Sequence, residues 1–384
     1  MFAPIPSVWL LITCAFLITS TATFSVEDTK IIDNLLANYS GKVLPYDRNG
    51  THPTIVTVNI LVTSITDIDQ VKMTFTAQLT FRMEWYDARL KYNESTKDVP
   101  RYLSIPPQFG KKLWKPDLHF ANEQQHWKHD VFVANEFYRV YANGEILYST
   151  RASIKFTCPM DLRLFPFDKQ TCPIEFSSFG HTNEYLILKW HEHAPLQIPS
   201  DLTIDYNFNL DDFSTNYCHE ATHTGVYSCL RAEFIFGRKS FRYLRDSYAP
   251  MVISILLIWT STWISSSDLG GILARALLLG GATFYCKWST SKYASLVPYM
   301  TTWDMWDTSC TGFIVVAIVE FVLVVVLHSE SPGKKNTCRG RIDIAIRLLY
   351  PIGFVLFAVT YFAIYAKWEK QEDVEEDDNY LDGD

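Results

Sequence analysis

Two rhythms divide the chain. From Met73 to Met83 apolar and polar residues alternate: Met73, Phe75, Ala77, Leu79, Phe81 and Met83 fall on one face, and Thr74, Thr76, Gln78, Thr80 and Arg82 on the other. Successive strand side chains point to opposite sides, so this is a strand buried on one face. Tyr138 to Ala142, Asn143-Gly144 and Glu145 to Tyr148 read as a hairpin whose Asn-Gly turn suits the type I′ geometry. Proline and glycine recur throughout 25–244, and only the short stretch Asp28 to Tyr39 keeps a helical period. The pattern predicts a β-sandwich, immunoglobulin-like in architecture, over 25–244.

Beyond it, charge nearly vanishes in windows of about 20 residues, the length that crosses a bilayer as a helix. Four spans are predicted within 245–367, at about 247–267, 269–288, 305–327 and 344–366. The second carries Arg275 and Lys287, and charge at membrane depth faces protein or water, which makes it the candidate pore lining; the third contains Glu320. An even number of crossings returns the chain to its starting side. The acidic tail 368–384 is then extracellular and the basic link 328–341 cytoplasmic, in keeping with the positive-inside rule. The uncharged run Val8 to Phe24 predicts a signal peptide over 1–24, so that the sequons at Asn38, Asn49 and Asn93 become glycosylation sites of an exported domain.

Composition adds exclusions. With 48% hydrophobic and 20% charged residues the chain is not disordered, and 42 acidic against 34 basic residues leave no electrostatic footprint for nucleic acid. Of the eight cysteines, Cys14 leaves with the signal peptide, and Cys286, Cys310 and Cys338 fall in or beside spans. Cys158, Cys172, Cys218 and Cys229 remain for an oxidising compartment; they allow three pairings, of which adjacency favours 158 with 172 and 218 with 229.

The segment from Cys158 to Cys172, with Phe165-Pro166-Phe167-Asp168 at its tip, resembles the signature loop of the Cys-loop, or pentameric ligand-gated ion channel, family. The four following spans match that family's layout, as do Trp114-Lys-Pro-Asp117, Asp268 through Arg275, and Arg341-Ile-Asp343. The stretch Tyr217 to Arg231, with Gln78 to Arg82 and Arg89-Leu-Lys91, is similar to invertebrate glutamate-gated chloride channels and their glycine-receptor relatives. The resemblance implies five subunits, homo- or heteromeric, around a pore in the plasma membrane, surrounded by lipid. It further implies chloride as the ion and a small-molecule agonist between neighbouring subunits, with no cofactor and no catalytic residues.

It also implies the site. The principal face would supply Phe120, Ser178, Phe179, His181, Thr224 and Tyr227, and the complementary face Arg82 and Ser149. The planar fork of Arg82 suits a carboxylate, which favours an amino-acid ligand such as glutamate over an amine, against the alternative of a structural salt bridge between subunits. The pore helix would open at Leu273, Ala274 and Arg275 and line the lumen with Leu277, Gly281, Phe284, Trp288 and Ser291, Lys287 adding positive charge. Ala274 stands where cation channels carry glutamate, which implies anions.

Departures from the pattern open two alternatives. Thr63 occupies the place of a second carboxylate-binding arginine, and His181 that of an aromatic residue, so a channel gated by protons or an amine enters. Phe284 replaces the gate leucine, and a ring of Trp288 would narrow the conduit, so a non-conducting accessory subunit enters as well. The motif His219-Glu220-Ala-Thr-His223 matches a zinc-protease pattern that requires a helix; between Cys218 and Cys229 it reads as a hairpin, and neither a protease nor a metal site is expected.

Overall fold

The structure, a computed structural model, describes residues 29–46, 48, 50, 53–92, 102–264, 268–291, 297–330 and 344–365. The expected signal peptide, the sequons at Asn49 and Asn93, most of the basic link and the acidic tail lie outside the described residues. Asn38 is exposed directly after helix α1 (29–37).

Among the described residues the strands are β1 (Thr54–Asp69), β2 (Thr74–Tyr86), β3 (Tyr102–Ile105), β4 (Leu118–Phe120), β5 (Glu123–Lys128), β6 (Glu136–Tyr141), β7 (Glu145–Thr157), β8 (Lys169–Ser178), β9 (Leu186–Trp190), β10 (Leu196–Gln197), β11 (Thr203–Ile204), β12 (Phe208–Thr222) and β13 (Gly225–Arg238); a single helical turn, α2 (Pro107–Gly110), follows β3. The larger sheet runs β10-β1-β2-β7-β6-β3, with β9 and β11 also on β1 and β5 also on β7; the smaller runs β12-β13-β8-β4. The two form a β-sandwich. Phe75, Ala77, Leu79 and Phe81 of β2 are buried while Thr76, Gln78, Thr80 and Arg82 are only half-buried, as the alternation predicts. Rings close the gap between the sheets: Phe75 lies 6.0 Å from Phe236 and Phe81 5.1 Å from Phe176, while Phe156 packs beside Phe75 on its own sheet at 5.4 Å. Each such buried side chain contributes about 1.5–3 kcal/mol over its exposed state.

The hairpin between β6 and β7 differs from the expected type I′ turn. Only Gly144 has positive φ, +89°, and its N–H donates to the Tyr141 carbonyl at 2.9 Å, leaving Asn143 in an ordinary conformation. The Asn143 carboxamide oxygen instead accepts from the Glu145 N–H at 3.0 Å. A Cβ at position 144 would fall 2.8 Å from the Asp87 carbonyl oxygen, so glycine is required for space as well as for φ.

Residues 161–170, 207–209 and 237 onward form a second compact unit. Its chain turns helical at Phe241 and runs through α3 (Phe241–Tyr243), a π-helical turn (Leu244–Tyr248) and α4 (Ala249–Ser261) without a break. This helix begins six residues before the expected first span, because Arg242, Arg245 and Asp246 supply helical turns outside the apolar run. Among the described residues three helices are long and apolar enough to cross a membrane: α5 (Leu269–Thr290), α6 (Thr302–Glu330) and α7 (Ile344–Tyr365). Tyr248, Trp306 and Tyr361 tie the π-helical turn before α4 to α6 and α7. The hydroxyls of Tyr248 and Tyr361 lie 2.9 Å apart, Tyr361 donates to the Thr302 carbonyl at 3.0 Å, and the Trp306 ring stands 4.9 Å from that of Tyr361.

The disulfides join Cys158 to Cys172 and Cys218 to Cys229. The tip of the first loop is anchored within the helical unit by Asp168, which receives Nε and Nη2 of Arg238 at 2.7 and 2.9 Å and the Gln170 amide at 2.6 Å. The guanidinium is sandwiched by the Phe165 and Phe208 rings, 4.9 and 4.6 Å from their centroids. Both charges are almost wholly buried, so removing one strands the other at a cost of about 3–5 kcal/mol. Asp168→Asn is therefore expected to lower the abundance of folded protein several-fold, and Asp168→Leu combined with Arg238→Met to recover most of it, as read by immunoblot of the detergent-soluble fraction.

Candidate functional site

Asp117 organises one cluster. Its Oδ1 accepts from the Ser178 hydroxyl at 2.7 Å, its Oδ2 from the Gly180 N–H at 2.7 Å, and its backbone carbonyl from the Phe179 N–H at 3.1 Å. Ser178 in turn accepts the His181 N–H at 3.0 Å. One carboxylate thus shapes the loop after β8 and drives Phe179 outward, 76% exposed. The hairpin β12–β13 abuts the same loop: the Asn183 N–H donates to the Val226 carbonyl at 2.9 Å, and Gly225, at φ +144°, approaches Thr182 so closely that a Cβ would lie 2.7 Å from its methyl group. At the hairpin tip the Thr224 and Tyr227 hydroxyls are 2.8 Å apart. Ser178, Phe179, His181, Thr224 and Tyr227 therefore belong to one end of the smaller sheet.

Phe120 does not join them. Its ring packs on Phe81 at 5.4 Å and Phe156 at 5.5 Å between the sheets, because strand alternation turns it away from Phe179. His119, its neighbour, takes the outward position, with its ring 5.5 Å from that of Phe179. The segment His219–His223 of the protease-like motif lies on β12 and the following turn, with no helix to bring the two histidines together.

Arg82 and Ser149 stand on the larger sheet as direct partners in the β2–β7 register. Nη1 of Arg82 donates to Asn59 Oδ1 at 2.8 Å and to Gln197 Oε1 at 3.1 Å. The Asn59 amide nitrogen donates to the Ala194 carbonyl, which fixes its oxygen toward Arg82. Both partners are neutral, and among the described residues no carboxylate pairs with this guanidinium. Thr63 sits at a bulge of β1 and donates to the Gln78 carbonyl at 3.0 Å. Asn59 and Gln197 belong to these clusters and the sequence reading passes over them, whereas Asp117 enters it only as the end of the Trp114-to-Asp117 motif, with no role in the site. Period two signals Asn59, on the Arg82 face of the next strand, but nothing local signals Gln197.

On α5 the expected pore positions Leu273, Ala274, Leu277, Gly281, Phe284, Lys287 and Trp288 are exposed along one stripe, together with Leu269, Gly270, Gly280 and Tyr285, and the exposed Ser291 follows the end of the helix. Arg275 is the exception and corrects the expectation. It is 2% exposed, ion-paired with Glu320 of α6, and lies over the Phe321 ring at 5.4 Å. Arg275 shares the opposite stripe with Leu279, Ala282 and Cys286, so the helical period itself withholds it from the exposed face. Lys287 is exposed but paired, 3.2 Å from Asp307 Oδ2 and 2.7 Å from the Thr311 hydroxyl. The conduit expected to be positive through these two residues carries a cation neutralised at each.

Residues 28–239 match the family described as the neurotransmitter-gated ion-channel ligand binding domain. The chain belongs to the neurotransmitter-gated ion-channel family. It is 35% identical to a Drosophila melanogaster glutamate-gated chloride channel over 321 residues, 82% of this chain and 68% of that one. It is 32% identical over 335 residues to the beta subunit of a glutamate-gated chloride channel from Haemonchus contortus, covering 84% and 76% of the two chains. The chain is thus a membrane-spanning receptor subunit and not an enzyme. In this family a ligand-binding domain of two sheets explains why the side-chain clusters around Asp117 and Arg82 stand on different sheets of one subunit.

Asp117 is half-buried and holds the loop that carries the exposed Phe179. Each charge-assisted hydrogen bond is worth about 1.5–3 kcal/mol. Asp117→Ala is expected to raise the agonist concentration for half-maximal binding at least tenfold, and Asp117→Asn less, since an amide oxygen still accepts from one donor; a binding isotherm on intact receptor checks both.

Proposed function

We infer that this chain is a subunit of an anion-selective ligand-gated channel of the plasma membrane, opened by an amino acid such as glutamate bound between neighbouring subunits. The observation that carries the reading is Arg82. Its guanidinium is half-buried, braced by two neutral amides and left with its charge uncompensated, an arrangement that suits an incoming carboxylate. Ser149 beside it offers a hydroxyl, and the Thr224 and Tyr227 hydroxyls of an adjacent subunit would complete the site. The names of the two relatives, both glutamate-gated chloride channels, support the same ligand class and ion.

Anion selectivity rests here on what α5 lacks. It contains no aspartate or glutamate, so its exposed stripe offers no acidic ring to select cations. Arg275 and Lys287 add little to the argument because each is ion-paired.

A second reading has its own observation. Phe284 and Trp288, 73% and 57% exposed, stand one turn apart on the stripe that would face the lumen. Five copies of each would form two aromatic constrictions that gate by dewetting, which favours a subunit that conducts only with partners carrying smaller residues.

Two outcomes follow. Arg82→Ala should weaken an acidic agonist more than Arg82→Lys, because lysine keeps a point charge but loses the bidentate fork; the separation is read from binding curves, and equal losses would remove the carboxylate clamp. Expressed alone, the chain should pass little current, and Trp288→Thr with Phe284→Leu should raise it, with a reversal potential that follows chloride. Large currents from the unmodified homomer would remove the constriction, and a reversal potential that follows sodium would remove the assigned sign.

A further inference from the structure

A second charge stands beside Arg82 on its face of β2. Glu84 lies two residues further along and on the same side, because strand side chains alternate and the intervening Met83 is buried. At ~3.4 Å per residue the two backbone positions are about 7 Å apart, close enough for an arginine and a glutamate to pair. They do not pair. Nη1 of Arg82 is drawn sideways to Asn59 Oδ1 at 2.8 Å and Gln197 Oε1 at 3.1 Å, toward β1 and β10, and Glu84 forms no ion pair among the described residues.

Glu84 lines a cleft of about 400 Å³ on this outer face of the larger sheet. Ile55 and Thr57 of β1, Tyr86 of β2 and Tyr141 of β6 form its walls, and the ion pair between Arg48 and Glu145 borders it. The neighbouring cations are placed away from Glu84. Arg48 and Lys91 lie over the Tyr86 ring at 5.8 and 5.3 Å, where they occupy the aromatic face that an entering cation would otherwise seek. Lys189 of β9 shares the row of Glu84, but Thr57, the register partner of both, stands between them. Of the two carboxylates lining the cleft, Glu145 is thus neutralised and Glu84 keeps its charge uncompensated.

We propose that Glu84 binds the ammonium group of the ligand whose carboxylate Arg82 receives, so that this face reads the spacing between two opposite charges. The inference rests on the carboxylate clamp proposed at Arg82. It names the ligand class as an amino acid with its ammonium and a terminal carboxylate at opposite ends of a short alkyl chain. Glutamate, taken by its distal carboxylate, meets this condition, and so does γ-aminobutyrate. Glycine, whose two charges share a single carbon, is too short to bridge the two positions. Glutarate offers carboxylates to Arg82 but no cation to Glu84, and like charges repel there.

The test is equilibrium binding of radiolabelled γ-aminobutyrate, glutarate and glycine to membranes bearing the full-length chain. Glu84→Gln is expected to weaken γ-aminobutyrate about tenfold, while glutarate loses no more than about twofold or binds more tightly once the repulsion is gone. Glu84→Asp, which keeps the charge, should retain most of the γ-aminobutyrate affinity, and Arg82→Ala should weaken both probes. Glycine should bind the unmodified chain at least about tenfold more weakly than γ-aminobutyrate. Glu84 is exposed, so its variants leave the core as it is. Equal loss of γ-aminobutyrate and glutarate in Glu84→Gln, or loss of neither, would overturn the ammonium role while leaving Arg82 as the carboxylate partner. Glycine binding as tightly as γ-aminobutyrate would overturn the spacing. Binding of both acids that survives Arg82→Ala, or no saturable binding of any probe, would remove the clamp and this inference with it.

Discussion

The register of β2 between β1 and β7 is the constraint on which the ligand-binding domain depends. One face of this strand supplies Phe75, Ala77, Leu79 and Phe81 to the core, and the other supplies Arg82 opposite both Asn59 and Ser149. Because the side-chain period is two, a slip of one residue would turn Arg82 into the sandwich and Phe81 out of it. Core stability and the placement of Arg82 are therefore specified by the same backbone hydrogen bonds. The bulge at Thr63 marks where this regular pairing gives way, one strand over from Arg82.

Charge is handled differently in the helical unit. Asp168 with Arg238 and Arg275 with Glu320 are buried pairs, nearly inaccessible to water. Such pairs cost much of their Coulombic gain in desolvation, so they are weak sources of stability, but each member forbids loss of the other. Asp168 and Arg238 hold the tip of the disulfide loop to the start of the helical segment, and Arg275 and Glu320 hold α5 to α6. Arg275 thereby cannot also serve as a bare charge at the exposed face of α5.

Much of this was legible in the residues. The alternation from Met73 to Met83 names the buried face of β2, and the uncharged windows after residue 245 mark helical spans. The misses have physical causes. At Asn143-Gly144 the dipeptide signals a turn but not its type: only Gly144 takes positive φ, while the Asn143 side chain accepts from the Glu145 N–H. Family resemblance puts Phe120 at the ligand, whereas alternation along a three-residue strand gives the outward place to His119. Placing Arg275 by its motif overlooked the stripe it shares with Leu279 and Ala282, and its partner Glu320 is 45 residues away, beyond any local signal. Asp117 acts through contacts more than 60 residues distant in sequence.

The central claim is that one ligand is held by Arg82 of one subunit and by Tyr227 of its neighbour. Co-expression of Arg82→Ala chains with Tyr227→Ala chains tests it, measured as saturable glutamate binding to membranes so that the readout does not depend on conduction. If the site lies at the junction, some junctions in mixed rings join an intact Arg82 to an intact Tyr227, and high-affinity binding returns although neither variant alone possesses it. Mixed rings that bind no better than either variant alone would contradict a shared site and return both residues to roles within a single subunit.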